Sequence, residues 1–233
     1  MKCIISITSL ATLGILSCVP SARAAQNQPR GTTESVLAMM DKSAADFHSL
    51  SADIEQIKYT DVVKDTSTEQ GQIFVRRDQR MRIEITKPDP KTILRTGDSL
   101  FIYTPKIKRV EEYNLGKHRS MVDQYLRLGF GTKSQDMQRS FDVSLTGEEE
   151  IEHRKTFLLE LTPKSGEIRK QITKIQMWID PSSWLPVQQK FFEAGGGDYF
   201  LVKYSNIMKN LKVNDAKFKQ DFPKDATRVK PRS

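Results

Sequence analysis

RMRIEITKPDPKTILRTGDSLFIYTPKIKRVEEY, residues 80–113, decides the fold. Apolar and polar side chains alternate through it in short segments. Lys87-Pro88-Asp89-Pro90, Thr96-Gly97-Asp98 and Thr104-Pro105 cut those segments apart. A period of two bounded by turn formers predicts antiparallel strands. Met81, Ile83 and Ile85 then share one face, with Arg80, Arg82, Glu84 and Thr86 on the other. The stretch holds no histidine, cysteine or glycine-rich phosphate loop. It offers a great deal of sheet and very little chemistry.

The same period extends in both directions. It predicts strands near 51–60, 71–77, 80–86, 92–96, 99–104 and 108–113, then near 141–146, 155–162, 171–180, 185–193 and 199–207. Val75 continues the apolar row of Ile73. Phe157, Leu159 and Leu161 form a second row and Ile175, Met177 and Ile179 a third, opposed by Glu160, Lys174 and Gln176. One apolar and one wet face imply an antiparallel sheet covered on one side. With ten or eleven strands, such a sheet curls.

Two helices interrupt the pattern. From Thr33 to about Leu50, Val36, Met40, Ser43 and Phe47 fall on one stripe, with Met39 and Ala44 beside it. Over 119–130, Met121 or Val122, Tyr125, Leu126 and Phe130 share a side, and Gly129 and Gly131 stop the helix. A short helical turn is expected from Asn214 to Phe218. Two such helices cover only part of a curled sheet. The rest of the concave face is either collapsed into a core or open to a ligand.

Residues 1–24 read as a secretory signal: a positive start at Lys2, an apolar stretch from Cys3 to Val19, and Ala22-Arg23-Ala24 before the cleavage point. Ile15-Leu16-Ser17-Cys18 also fits a lipoprotein box, which would make Cys18 an acylated first residue. A membrane anchor competes, although the run is short for a span. Residues 25–31 form a loose polar leader and 32–233 a single domain. Cleavage after Ala24 removes both cysteines and leaves 35 basic against 29 acidic residues, a net charge of +6. The basic residues are scattered without aromatic interleaving, which argues against nucleic acid. A solvated surface is the plain reading, with a membrane or acidic partner as the alternative.

No active site assembles from the sequence, and no enzyme activity, cofactor or metal is expected. His48, His118 and His153 lack ligand spacing. Glu148-Glu149-Glu150 is a solvated charge run, and Gly195-Gly196-Gly197-Asp198 joins two strands instead of leading into a helix. Arg77 stands apart. Alternation from Ile73 and Val75 turns its guanidinium toward the apolar side, where it would need acceptors. The competing reading ends the strand at Arg76 and bends Arg77 outward with the hairpin.

FHSLSADIEQ (47–56), GQIFVRRDQRMRIEITKPDPKTILRTGDSLFIYTP (71–105), WIDPSSWLPVQQ (178–189) and the closing F-x-x-x-F-P of 218–223 resemble the LolA family of periplasmic lipoprotein carriers. The resemblance implies a mainly β fold with a few helices, an unclosed, strongly curved antiparallel β-barrel with a helical lid. It implies that acyl chains of lipoproteins enter a trough lined by Val75, Met81, Ile83, Ile85, Phe157, Leu159, Leu161, Ile175, Met177 and Ile179. Met40, Phe47, Tyr125 and Leu126 would form the lid, and Arg77 would gate it. It further implies a periplasmic monomer working between an inner-membrane lipoprotein-releasing ABC transporter and an outer-membrane acceptor. The same fold serves membrane-anchored lipoprotein receptors and lipid-sensing envelope-stress regulators, and a carrier of another envelope lipid is a further alternative. Met81 and Ile83 stand where the family carries an aromatic pair, Asp78 where many members carry proline, and 123–143 departs from the better-known carriers.

Overall fold

The computed structural model describes residues 31–116 and 127–231. The signal segment with Cys18, nearly all of the polar leader, His118, Tyr125 and Leu126 lie outside the described residues. Helix α1 (Thr33–Ala45) precedes six strands: β1 (Ser49–Thr60), β2 (Asp65–Arg76), β3 (Met81–Lys87), β4 (Lys91–Thr96), β5 (Ser99–Thr104) and β6 (Arg109–Asn114). After them come α2 (Ser134–Ser140), β7 (Phe141–Ile151), β8 (Arg154–Pro163) and the single turn α3 (Gly166–Arg169). The chain then runs through β9 (Ile172–Ile179), β10 (Pro186–Glu193) and β11 (Tyr199–Lys209) to β12 (Thr227–Val229).

Among the described residues, all twelve strands form one sheet, in the order β12-β6-β5-β4-β3-β2-β1-β11-β10-β9-β8-β7. β7 and β12 are its two edges, so the barrel is unclosed. Each pair is antiparallel except β12, which runs parallel to β6. Register carries the apolar rows from strand to strand on one face. One row runs Leu50, Val75, Met81, Arg95 and Leu100 across β1 to β5. Another runs Phe200, Phe191, Ile175 and Leu161 across β11 to β8.

Several expectations need correcting. α1 ends at Ala45, so Phe47 lies beyond the helix, between it and β1. Lys209 meets the helix end from outside: its ammonium donates to the Ser43 carbonyl (2.8 Å) and to the Asp46 carboxylate (2.6 Å). Both contacts suit a cation at a helix C-terminus. The helix expected over 119–130 lies almost wholly outside the described residues; Gly129 and Gly131 sit at positive φ in the turn and bend of 127–131. α2 was unforeseen, because its polar sequence SQDMQRS shows no stripe.

The outer face is also less wet than alternation suggests. A 3₁₀ turn (Asp215–Phe218) and the chain beyond it lay Phe218, Phe222 and Ala226 on Leu94, Phe101 and Val110. The closing F-x-x-x-F-P is thus a clasp on the back of the sheet. Arg82, buried on that face, bonds Glu84 (2.7 Å), the Lys217 carbonyl (3.2 Å) and Asp221 (3.2 Å).

Candidate functional site

The concave face divides into two regions of opposite fate. In the first, α1 lies over β7–β9. Val36, Leu37 and Met40 seal Leu159, Leu161, Ile175, Met177 and Ile179, each of which has no exposed surface. Hydrogen bonds pin the helix at both ends. The Leu145 amide donates to Thr33 Oγ1 (2.9 Å), and Ser43 Oγ donates to the Ser183 carbonyl (3.0 Å). Asp41 accepts the Ser134 amide (2.6 Å), which docks α2 beside α1. Phe157 is half-buried at the rim and stacks on Trp184 at 5.8 Å.

In the second region no helix among the described residues covers the sheet, and a cavity of about 440 Å³ lies on its face. Ile54, Ile73, Met81, Ile83 and Ile93 form one wall, with Phe191, Phe200 and Val202 opposite. Volumes of this size are those of small-molecule sites. Its polar lining residues are Gln56, Lys58, Ser67, Glu69 and Lys91, with Gln189 and Tyr204 together on one wall. At the rim stand Lys58 and the pair Lys91–Glu69 (2.9 Å). On the wall, the buried Tyr204 hydroxyl donates to Gln189 Oε1 (2.7 Å), and Gln189 Nε2 donates to the Leu128 carbonyl (2.9 Å). Burial pushes the Tyr204 phenol well above its ordinary range, so it stays a neutral donor.

Residues 128–131 form the seam between the regions. Leu128 belongs to the helix-covered cluster and Phe130 to the open one. Phe130 meets the Tyr204 ring edge-on at 5.0 Å. Gly131 has φ +71° and lies so close to Phe47 that a Cβ would come within 2.5 Å of the ring. Only glycine fits there.

The trough residues expected from sequence are therefore distributed across both regions. Val75, Met81, Ile83 and Ile85 belong to the open cluster, and Met81 and Ile83 line its cavity directly. Leu159, Leu161, Ile175, Met177 and Ile179 lie beneath α1. Met40 is on the covering helix, and Phe47 packs in the open cluster.

Arg77 is not turned inward. β2 ends at Arg76, the turn opens after it, and Arg77 is exposed, with its amide donating to the His48 carbonyl (2.9 Å). The arginine on the concave face is Arg95, opposite Met81, 2% exposed and bonded to the Gly97 carbonyl. The signal lies in KTILRT, where Arg95 alternates with Ile93 and so shares its face. His48 and His153 are exposed, and among the described residues no group of three or more His, Cys, Asp or Glu is placed to hold a metal. Among the described residues, no helix is long and apolar enough to cross a membrane.

Comparison with known proteins gives these surfaces a family context. The sequence model of the family described as "Outer membrane lipoprotein carrier protein LolA" matches residues 45–221. An uncharacterized protein of Methanocaldococcus jannaschii is 24% identical over 81% of this chain, which spans about half (50%) of that relative's length. The crystal structure of an uncharacterized conserved protein from Thermus thermophilus aligns with a TM-score of 0.55 at 12% identity, covering 85% of this chain and 98% of that one. At that identity the likeness is one of fold. A LolA superfamily protein from Nitrosomonas europaea aligns with a TM-score of 0.42 at 16% identity, covering 83% and 100%.

Proposed function

The chain belongs to the LolA family, and from that premise we propose that it is a periplasmic carrier that shelters the acyl chains of lipoproteins and ferries them from inner to outer membrane. The observation that supports this reading is the cavity of about 440 Å³ on the concave face, apolar on its walls and polar at its rim. Such a lining fits a hydrocarbon chain whose head stays in water. The donor would be an inner-membrane releasing complex and the recipient an outer-membrane acceptor.

Energetics set what the cavity must do. Burying a methylene contributes about 0.8 kcal/mol, so a chain of about sixteen carbons is held in a bilayer by roughly 12 kcal/mol. A carrier must nearly match that figure to accept the chain and must not exceed it by much, or handover fails. A pre-formed cavity with half-buried Ile93, Phe191 and Phe200 on its walls suits this balance. Part of the apolar gain is already present in the empty protein, so loading adds only the remainder.

The test is mass spectrometry of protein isolated from its native envelope, with titration by a fluorescent lipopeptide. Expected are co-purifying acylated species and saturable one-to-one binding. Absence of both overturns the reading. The intact mass of the same sample decides the start of the mature chain. A chain beginning at Ala25 fits a free carrier, and a diacylglyceryl group on Cys18 fits an anchored receptor instead.

A further inference from the structure

The β1–β2 hairpin carries Val62 and Val63 at its tip, 91% and 67% exposed, the two most exposed large apolar side chains among the described residues. The tip is braced. The Asp61 amide donates to Asp198 Oδ1 of the β10–β11 turn (2.7 Å), the Lys64 amide donates to the Asp61 carbonyl (3.2 Å), and Tyr59 stacks on Tyr199 at 5.1 Å. Gly197 closes on Asp61 so tightly that a Cβ there would meet its carboxyl carbon at 2.8 Å. The two valines are therefore held outward by a stiff support with those turn amides already bonded.

The tip also stands beside the cavity mouth. Lys58 and Ser67, paired across the hairpin, both line the cavity. Asp61 follows three residues later, about 10 Å along the strand at roughly 3.4 Å per residue. We propose that this tip docks the protein on a phospholipid bilayer, with Val62 and Val63 entering the interface and the cavity mouth brought against the source of its acyl chain. The inference rests on the carrier reading for what docking achieves. Lys58 and Lys64 are balanced by Asp61 and Asp65, and Lys64 bonds Asp61 at 2.7 Å. Docking is therefore driven by apolar area, and depends little on salt or on lipid charge. Two valines give a weak, reversible contact, which is what a shuttling protein requires.

The test is sedimentation with phosphatidylcholine vesicles, using purified protein whose intact mass shows no acyl group. Wild type is expected to partition onto vesicles at both low and high salt. The double variant Val62→Asp/Val63→Asp should lose about tenfold or more of that partition, while Ile107→Asp, at another exposed apolar residue (60%), should keep it. Val62→Trp should show blue-shifted emission on vesicles. In solution, wild type and double variant should bind the fluorescent lipopeptide equally. Wild type that stays in the supernatant overturns the proposal and leaves the tip to a protein partner. Equal partition of the double variant, or an equal loss in Ile107→Asp, overturns it as well. Vesicle docking without lipopeptide binding would support the tip proposal and sink the carrier reading.

Discussion

The two regions of the concave face are built from the same kind of residue in the same alternation, yet one is filled and the other empty. Ile175 and Ile83 illustrate it. Both lie mid-strand on the inner face, but Ile175 has no exposed surface and Ile83 retains 7% beside a cavity. Among the described residues, what separates them is a helix anchored by Thr33, Asp41, Ser43 and Lys209 over one region, with none over the other. Burial is decided here by what is tied across the sheet, more than by the hydrophobicity of the strand itself.

The largest effect expected follows from that difference. Ile175→Glu places a carboxylate in a sealed apolar cluster with no hydrogen-bond donor or water. It should cost at least about 4 kcal/mol of stability or prevent folding. Ile83→Glu borders the open cavity, where the group can find water, so the protein should fold and lose lipopeptide binding. Thermal melts with a lipopeptide titration check both. If the two variants unfold alike, the regions are not distinct.

The seam provides the next test. Gln189→Leu removes the bond to the Leu128 carbonyl and leaves the Tyr204 hydroxyl without its acceptor. A buried group stripped of its partner costs about 1–3 kcal/mol. The double variant Gln189→Leu/Tyr204→Phe should recover much of that, because the orphaned hydroxyl is gone as well. Chemical denaturation of the three proteins gives the coupling, and failure of the second change to restore stability would mean that Gln189 matters only through Leu128.

A smaller change in stability with a clear change in binding is expected at the cavity wall. Ile93→Phe extends a half-buried side chain into empty space, so it should alter stability by less than about 1 kcal/mol. It should weaken lipopeptide binding about tenfold, or roughly 1.4 kcal/mol. Unchanged affinity would place the acyl chain elsewhere.

The sheet was legible because strand alternation is a local property: residues 80–113 alone give β3, β4, β5 and β6 within a residue or two. The family could be read for the same reason, from motifs that lie on strands and turns. The cavity's position was not legible. Nothing within Phe157–Leu161 or Ile172–Ile179 says that α1 covers them, since Thr33, Ser43 and Lys209 act across more than a hundred residues of chain. The inward Arg77 came with the family resemblance; the last paired position of β2 is Arg76, so the alternation of Ile73 and Val75 does not reach it. β12 escaped because three residues of TRV make no periodic signal, and its pairing with β6 depends on the clasp of Phe218 and Phe222.

The smallest effect concerns the anchor of α1 and has a definite sign in pH. The hydrogen bond from Lys209 holds the Asp46 carboxyl below its ordinary value of 3.8. A carboxylate whose folded pKa is depressed contributes stability that is complete above its unfolded pKa and is lost as pH falls through the folded one. Asp46 is solvent-exposed, so screening keeps the contribution small. Lys209→Met removes this bond and the one to the Ser43 carbonyl together. The melting temperature of the variant should therefore lie below wild type by a constant margin at neutral pH. Under acidic conditions, below the ordinary value of Asp46, the margin should narrow without vanishing, because the Ser43 carbonyl does not titrate. Melts followed by tryptophan fluorescence in a Trp178→Phe background, which leaves Trp184 on the helix-covered side as the reporter, would show it. A margin that stays fixed through the titration of Asp46 would assign the anchor to the carbonyl alone. A margin that closes completely would assign it to the carboxylate, and α1 would then be released from its C-terminal end by acid.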